Sequence, residues 1–150
     1  MKPAPEAVDA KRLPELSRDV MKRAPFPMLA TVGTDGHPRV RPVSPVKVDG
    51  FVVWVASMKS SNKTAELESN ELVELCYLDE RHDQVRISGP AELVEEAQAK
   101  QSIWDENPLL RAFLGSVDTP EFMLYRIEPK RIRFMREWAL EYFEVGVRAS

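Results

Sequence analysis

Two periodicities alternate along this chain. From Met28 to Thr34 the side chains divide between two faces, Met28, Ala30 and Val32 on one and Leu29 and Thr31 on the other, which predicts a β-strand. Asp9 to Arg23 instead carries Leu13, Leu16, Val20 and Met21 at near-helical spacing. That predicts an amphipathic helix over 9–24 with Asp9 as its N-cap. Pro14 belongs near its first turns, and Pro25 and Pro27 end it. Residues 1–8, with two prolines and little to bury, read as a loose tail.

After the first strand, Asp35-Gly36 supplies the positive φ of a tight hairpin turn. A second strand, His37 to Val48, is interrupted by Pro38, Pro42 and Pro45, so it is bent or pairs on one side only. Asp49-Gly50 turns into a third, Phe51 to Ser57, whose unbroken apolar character predicts burial on both faces. Ser60 or Ser61 then caps a short helix running to about Ser69, with Asn70 as its stop. Leu72 to Leu78 makes a fourth strand and Asp79 to Asp83 a charged turn. Gln84 to Gly89 alternates cleanly as a fifth strand, which continues past Pro90 through Ala91 and Leu93.

Glu95 to Trp104 is helical in composition, and Asn107-Pro108 starts another helix closed by Gly115. Phe122 to Ile127 and Arg131 to Met135 form a last strand or strand pair, broken at Pro129. The C-terminal extension, 137–150, keeps Trp138, Leu140, Tyr142, Phe143 and Val145. That is too apolar for a free end, so it should pack on its own domain or on a partner. The sum is a single, mainly β domain over 1–150 with flanking helices and about six antiparallel strands. Hairpin-linked short strands favour a small closed or partly closed barrel over a doubly wound parallel sheet.

Composition narrows the function classes. A chain of 150 residues with 43% hydrophobic and 30% charged residues is long enough to bury roughly 70% of its unfolded surface. A net charge of −3 argues against a dedicated nucleic-acid binder. No apolar run reaches the roughly 18 residues of a membrane span, and the N-terminus lacks the apolar core of a signal peptide. The single Cys76 permits no internal disulfide and fits a reducing cytoplasm, with a small buried hydrophobe as its simplest role. The expectation is a cytoplasmic protein.

The candidate chemistry lies between the two Asp-Gly turns and just beyond them. Arg39 and Arg41 are two apart and share a face on a regular strand. The third strand ends at Ser57, and Ser61 and Lys63 open the following helix, whose N-terminus suits a phosphate. Arginine would add bidentate hydrogen bonds, Lys63 a point charge and Ser61 a hydroxyl. The competing reading is a set of solvated surface charges. Other chemistries find no support. His37 and His82 are the two histidines, neither at metal-ligand spacing; there is no glycine-rich phosphate loop and no nucleophile elbow.

Four pieces in order resemble the flavin-binding split barrels typified by pyridoxamine 5'-phosphate oxidase, and more narrowly their short general-stress-protein relatives. They are Arg41-Pro42-Val43, the stretch from Ser57 through Ser61 to Lys63, Gln84-Val85-Arg86-Ile87-Ser88-Gly89, and Tyr125 to Pro129 followed by Ile132-Arg133-Phe134. The resemblance covers roughly Met28 to Met135. It implies a six-stranded antiparallel split β-barrel, a homodimer, and FMN in a groove at the dimer interface. Carried over by position, Arg41 and Lys63 would bind the FMN phosphate with Ser61 assisting, and Arg39 is a second candidate. Val43 belongs to the same strand motif, Ser57 would sit beside the ribityl chain or ring, and Gln84 would hydrogen-bond near the isoalloxazine. Trp104 and Trp138 would stack on the ring or lie at the interface, with plain core packing as the simpler reading.

The family's substrate elements are missing. Where an Arg-x-His and a strand Trp are expected, the chain reads Arg133-Phe134-Met135-Arg136-Glu137-Trp138. The resemblance therefore implies a flavin-dependent oxidoreductase or reductase on some small molecule other than vitamin B6 phosphate. The alternatives are a non-catalytic FMN carrier or sensor, or a barrel holding a deazaflavin or haem. No catalytic residue and no metal site is indicated.

Overall fold

The computed structural model describes residues 4–148. Asp9 caps a single 3-10 turn, Ala10–Arg12, by accepting from the Lys11 backbone N–H at 3.0 Å. Helix α1, Leu13–Arg23, follows directly, with Pro14 in its first turn where no N–H is needed. Leu13, Val20 and Met21 form its buried stripe. The preceding segment is less loose than its composition suggests. Val8 packs against the core and Glu6 accepts from Arg136 at 3.2 Å. Of the tail and the C-terminal extension, residues 1–3 and 149–150 lie outside the described residues.

Among the described residues nine strands follow, all paired antiparallel: β1 Met28–Val32, β2 Pro38–Pro42, β3 Lys47–Asp49, β4 Val52–Met58, β5 Leu72–Leu78, β6 Gln84–Leu93, β7 Phe122–Ile127, β8 Arg131–Met135 and β9 Phe143–Val145. Helix α2, Asn62–Ser69, joins β4 to β5, while α3, Ala97–Glu106, and α4, Pro108–Leu114, lie between β6 and β7. The sheet runs β2-β1-β5-β6-β7-β4-β3, with β8 branching from β6 and β9 pairing with β8. Its ends, β2 and β3, do not pair with each other, so the sheet is open.

The expected six strands become nine for identifiable reasons. The second predicted strand is two, because Pro42 and Pro45 lack the N–H groups that would carry a ladder through 43–46. The last strand resolves into β7 and β8, and the extension adds β9 by pairing Phe143 with Phe134 and Val145 with Ile132. The turn after β1 also differs from a tight hairpin. Val32 faces Pro38, which leaves five residues, 33–37, with Gly36 at a φ of 84°. The Asp49-Gly50 hairpin is present between β3 and β4, with Gly50 at a φ of 59°.

Strand β6 joins the two halves of the sheet. Its first part pairs with β5 and β8; beyond Gly89 it pairs with β7 through Ala91–Leu93. A side chain at Gly89 would run into the Glu128 carbonyl oxygen, so glycine lets the β7–β8 connection cross there. The main core lies inside the curved sheet under α1, with Leu29, Val53, Val55, Leu75, Ile87 and Ile132 among its members. A second cluster, Val94, Ile103, Trp104, Phe122 and Leu124, seats α3 and α4. Strand β4 serves both, sending Val53 and Val55 to the first and Trp54 and Ala56 to the second. The predicted burial on two faces holds for the first side, while Trp54 and Ala56 on the second are half-buried.

Candidate functional site

The site is built where β4 ends. Ser57 is its last buried side chain, and the chain then turns so that Ser61 caps α2. Ser61 Oγ accepts from the Thr64 backbone N–H at 3.3 Å and lies 3.0 Å from Ser57 Oγ. Thr64 Oγ1 donates to the Met58 carbonyl at 2.7 Å, so in its 2.8 Å contact with Ser57 it accepts. Three hydroxyls are thus fixed at the mouth of the helix by their own network.

Lys63, one position into that first turn, folds back and donates from Nζ to the Ala56 carbonyl at 3.1 Å. Among the described residues no ion pair includes it. Burial, and after it the charge of Arg41, push its pKa below the ordinary 10.5. A lysine so placed is short of negative charge.

Arg41 comes from β2, on the side of the sheet facing α2. Its Nη1 donates to Thr31 Oγ1 at 2.8 Å and to the Leu29 carbonyl at 3.2 Å, and its Nη2 to Glu66 Oε1 at 2.5 Å. Thr31 also donates to Glu66 at 2.8 Å. Glu66 is buried on the inner face of α2, so this triad pins the guanidinium to the helix. Of the five N–H donors of an arginine, three are committed and two remain.

These groups converge. Arg41, Ser57, Ser61 and Lys63 line one cleft of about 400 Å³, together with Ala56 and Met58. Its other wall is apolar, made by Leu110, Phe113 and Leu114 of α4. Leu110 and Leu114 pack on the second core cluster, whereas Phe113 stands 75% exposed at the rim. Asn107 anchors this wall by donating to the Val46 and Ile103 carbonyls at 3.1 and 2.6 Å. It holds the N-cap position of α4 but uses its side chain for that anchor.

The other predicted residues lie elsewhere. Arg39 pairs with Asp35 at 2.8 Å on the exposed surface and lines a neighbouring hollow with Asn62 and Ala65. Val43 is buried in the main core, its N–H donating to the Pro27 carbonyl at 2.9 Å. Gln84 begins β6 on the outward face of the sheet, where its Oε1 accepts from the Tyr142 hydroxyl at 2.8 Å. Trp104 is buried against Phe122, and Trp138 is 49% exposed beside His82. Cys76 is half-buried, and burial raises its thiol pKa.

The sequence reading missed Thr31, Thr64 and Glu66, which orient the named residues, and the α4 wall. Thr64 had a signal, three residues after a serine N-cap, but Glu66 reads as surface charge without the register of β1 against α2. One cationic, hydroxyl-lined end and one apolar wall suit a planar ring with an anionic tail. No pair of titratable groups is set for acid–base work there.

Known proteins agree with this architecture. The family model described as Pyridoxamine 5'-phosphate oxidase matches residues 13–136. The chain belongs to this family. Among solved structures it is similar to a protein related to general stress protein 26 from Clostridium acetobutylicum, with a TM-score of 0.77 at 18% identity, covering 93% of this chain and 96% of that one. It is also similar to general stress protein 26 of Bacillus anthracis, with a TM-score of 0.72 at 23% identity over 89% and 99% of the two chains. A heme binding protein from Mycobacterium smegmatis gives a TM-score of 0.75 at 16% identity, covering 95% of this chain and 61% of that one. At these identities the likeness is one of fold. No curated protein matches the chain significantly.

Proposed function

We propose that this family member binds FMN in the β4–α2 cleft and acts as a flavin-dependent oxidoreductase on a small molecule. The observation that carries the reading is Lys63, half-buried beside Arg41 without a carboxylate of its own, at the end of a cleft with an apolar wall. A phosphate there would meet two cations, the Ser61 hydroxyl and the first turn of α2. When bound, the flavin supplies the redox chemistry, and the chain's residues hold and orient it. Arg41 is already fixed by Glu66 and Thr31, so little freedom is lost on binding.

The same reading includes a homodimer. On the outward face of β2, β1 and β5, Val40, Met28 and Leu78 are exposed in adjacent register, with Phe26 beside them. Gln84 lies on that face too, opposite Leu78. A second copy packed there would cover the apolar stripe and bring its Gln84 toward a flavin ring held by the first. A cytoplasmic location accords with the lone half-buried thiol, and no helix among the described residues is long and apolar enough to cross a membrane.

Absorbance of the purified protein, with mass identification of any released ligand, tests the proposal. Flavin bands, or stoichiometric uptake of added FMN, are expected. A protein that is colourless and takes up no FMN would refute it. Rapid reduction of the bound flavin by a nicotinamide donor separates an enzyme from a carrier. Haem is the second reading, on the likeness to the Mycobacterium smegmatis protein; an intense band near 400 nm, typical of haem, would select it.

A further inference from the structure

A second cavity, of about 390 Å³, lies between α1 and the β3–β4 corner and shares no lining residue with the β4–α2 cleft. That volume falls within the range of small-molecule sites, roughly 300–1,000 Å³. Met21, Pro45 and Val48 give it apolar walls, and Arg18 and Lys22, one turn apart on α1, line the same cavity. Tyr77 completes it from β5; its side chain is 1% exposed, and its hydroxyl is buried without a hydrogen-bond partner. Arg18 Nη1 is likewise buried and unpartnered, while its guanidinium carbon lies 5.8 Å from the Phe51 ring centroid. Buried polar groups are nearly always satisfied, and these two unpartnered atoms belong to residues that line the cavity.

The partner's chemistry follows from the lining. Both orphaned groups can donate, neither Arg18 nor Lys22 enters an ion pair among the described residues, and no carboxylate lines the cavity. The Tyr77 phenol, whose pKa burial pushes above its ordinary 10, is protonated at neutral pH and hence a donor. The complement is an acceptor-rich, negatively charged group on an apolar body. We propose that this cavity binds a small organic acid, its aromatic or short aliphatic body among Met21, Pro45 and Val48 and its carboxylate held by Arg18, Lys22 and the Tyr77 hydroxyl. The site stands apart from the flavin reading and does not depend on it.

Titration of the full chain with 2-naphthoate, followed by fluorescence and calorimetry, tests this, with the uncharged 2-naphthalenemethanol as control. One saturable site per chain is expected, with the acid bound at least tenfold more tightly than the alcohol. Arg18→Gln and Tyr77→Phe should each weaken the acid by about tenfold or more, the effect of one charge-assisted hydrogen bond. Val48→Trp, at a half-exposed position of the wall, should block uptake of both probes and leave the fold's thermal transition in place. Failure to saturate, equal affinity for acid and alcohol, undiminished binding in both Arg18→Gln and Val48→Trp, or competitive displacement of the acid by FMN would each overturn the assignment.

Discussion

Lys63 places an ammonium in a half-buried position beside Arg41, where burial and like charge both disfavour it. An incoming phosphate reverses that balance, so Lys63→Ala should weaken FMN roughly tenfold to a hundredfold, from a charge-assisted bond of about 1.5–3 kcal/mol. Isothermal titration measures this, and an unchanged Kd would remove Lys63 from the site. The lowered pKa adds a pH signature. The phosphate prefers the protonated lysine, so FMN affinity should fall as pH rises through a value below 10.5, while riboflavin, which lacks the phosphate, shows no such fall. Tyr77 offers the opposite kind of residue effect. Its buried, unpartnered hydroxyl costs about 1–3 kcal/mol in the free protein, so Tyr77→Phe should leave the melting temperature unchanged or raise it. A clear drop would mean that the hydroxyl has a structural partner.

At the scale of elements, β6 carries the fold's switch between two sheet halves and Glu74 ties three of its neighbours together. Gly89→Ala would drive a methyl into the Glu128 carbonyl and force the β7–β8 connection off β6. A loss of about 3 kcal/mol or more in urea unfolding is expected, the upper range for an overpacked site. On the outward face, Glu74 of β5 accepts from Arg86 Nη2 at 2.5 Å and from Ser88 at 2.9 Å, and pairs with Arg133 of β8 at 3.2 Å. Burial raises the Glu74 pKa, but the bonds from Arg86 and Ser88 and the two arginine charges outweigh it, and the net shift is below the ordinary 4.5. A carboxylate depressed in the folded state stabilises it above 4.5 and loses that effect as pH falls through the folded value. Glu74→Gln should therefore melt lower than the parent at pH 7, with the gap closing in acid. A gap independent of pH would show that the charge does not matter.

The whole molecule presents an apolar stripe at Phe26, Met28, Val40 and Leu78 on the outer face of its open sheet. Within one chain Gln84 belongs to that outer face, and Arg41 and Lys63 belong to the cleft beside α4. Light scattering should report a dimer. Val40→Lys, at a position 66% exposed in the single chain, should shift it toward monomer and weaken FMN together. Dissociation with full FMN affinity would show that one copy builds the whole site.

Much of this protein was legible from the order of its residues, because the evidence was local. The Asp49-Gly50 turn, the Ser61 cap, the Asn70 stop, the buried face of β4 and the continuation of β6 past Pro90 are short-range consequences of backbone preference and apolar period. Ser57, Ser61 and Lys63 were also legible as a group, since one strand-to-helix turn joins them, whereas Arg41 reaches them from β2 only through β1 and Glu66 of α2. What tertiary structure decided lies at longer range. Arg41 was separated from Arg39 by the buried Glu66, reached across β1 from α2, and that pairing leaves no mark in spacing. The extension became β9 because β8 offered a free edge, and α4 became the cleft's wall because Asn107 anchors it to Val46, just before β3. The cavity under α1 was unreadable for the same reason: its polar groups come from a helix and a strand 55 residues or more apart, and only packing leaves them without partners.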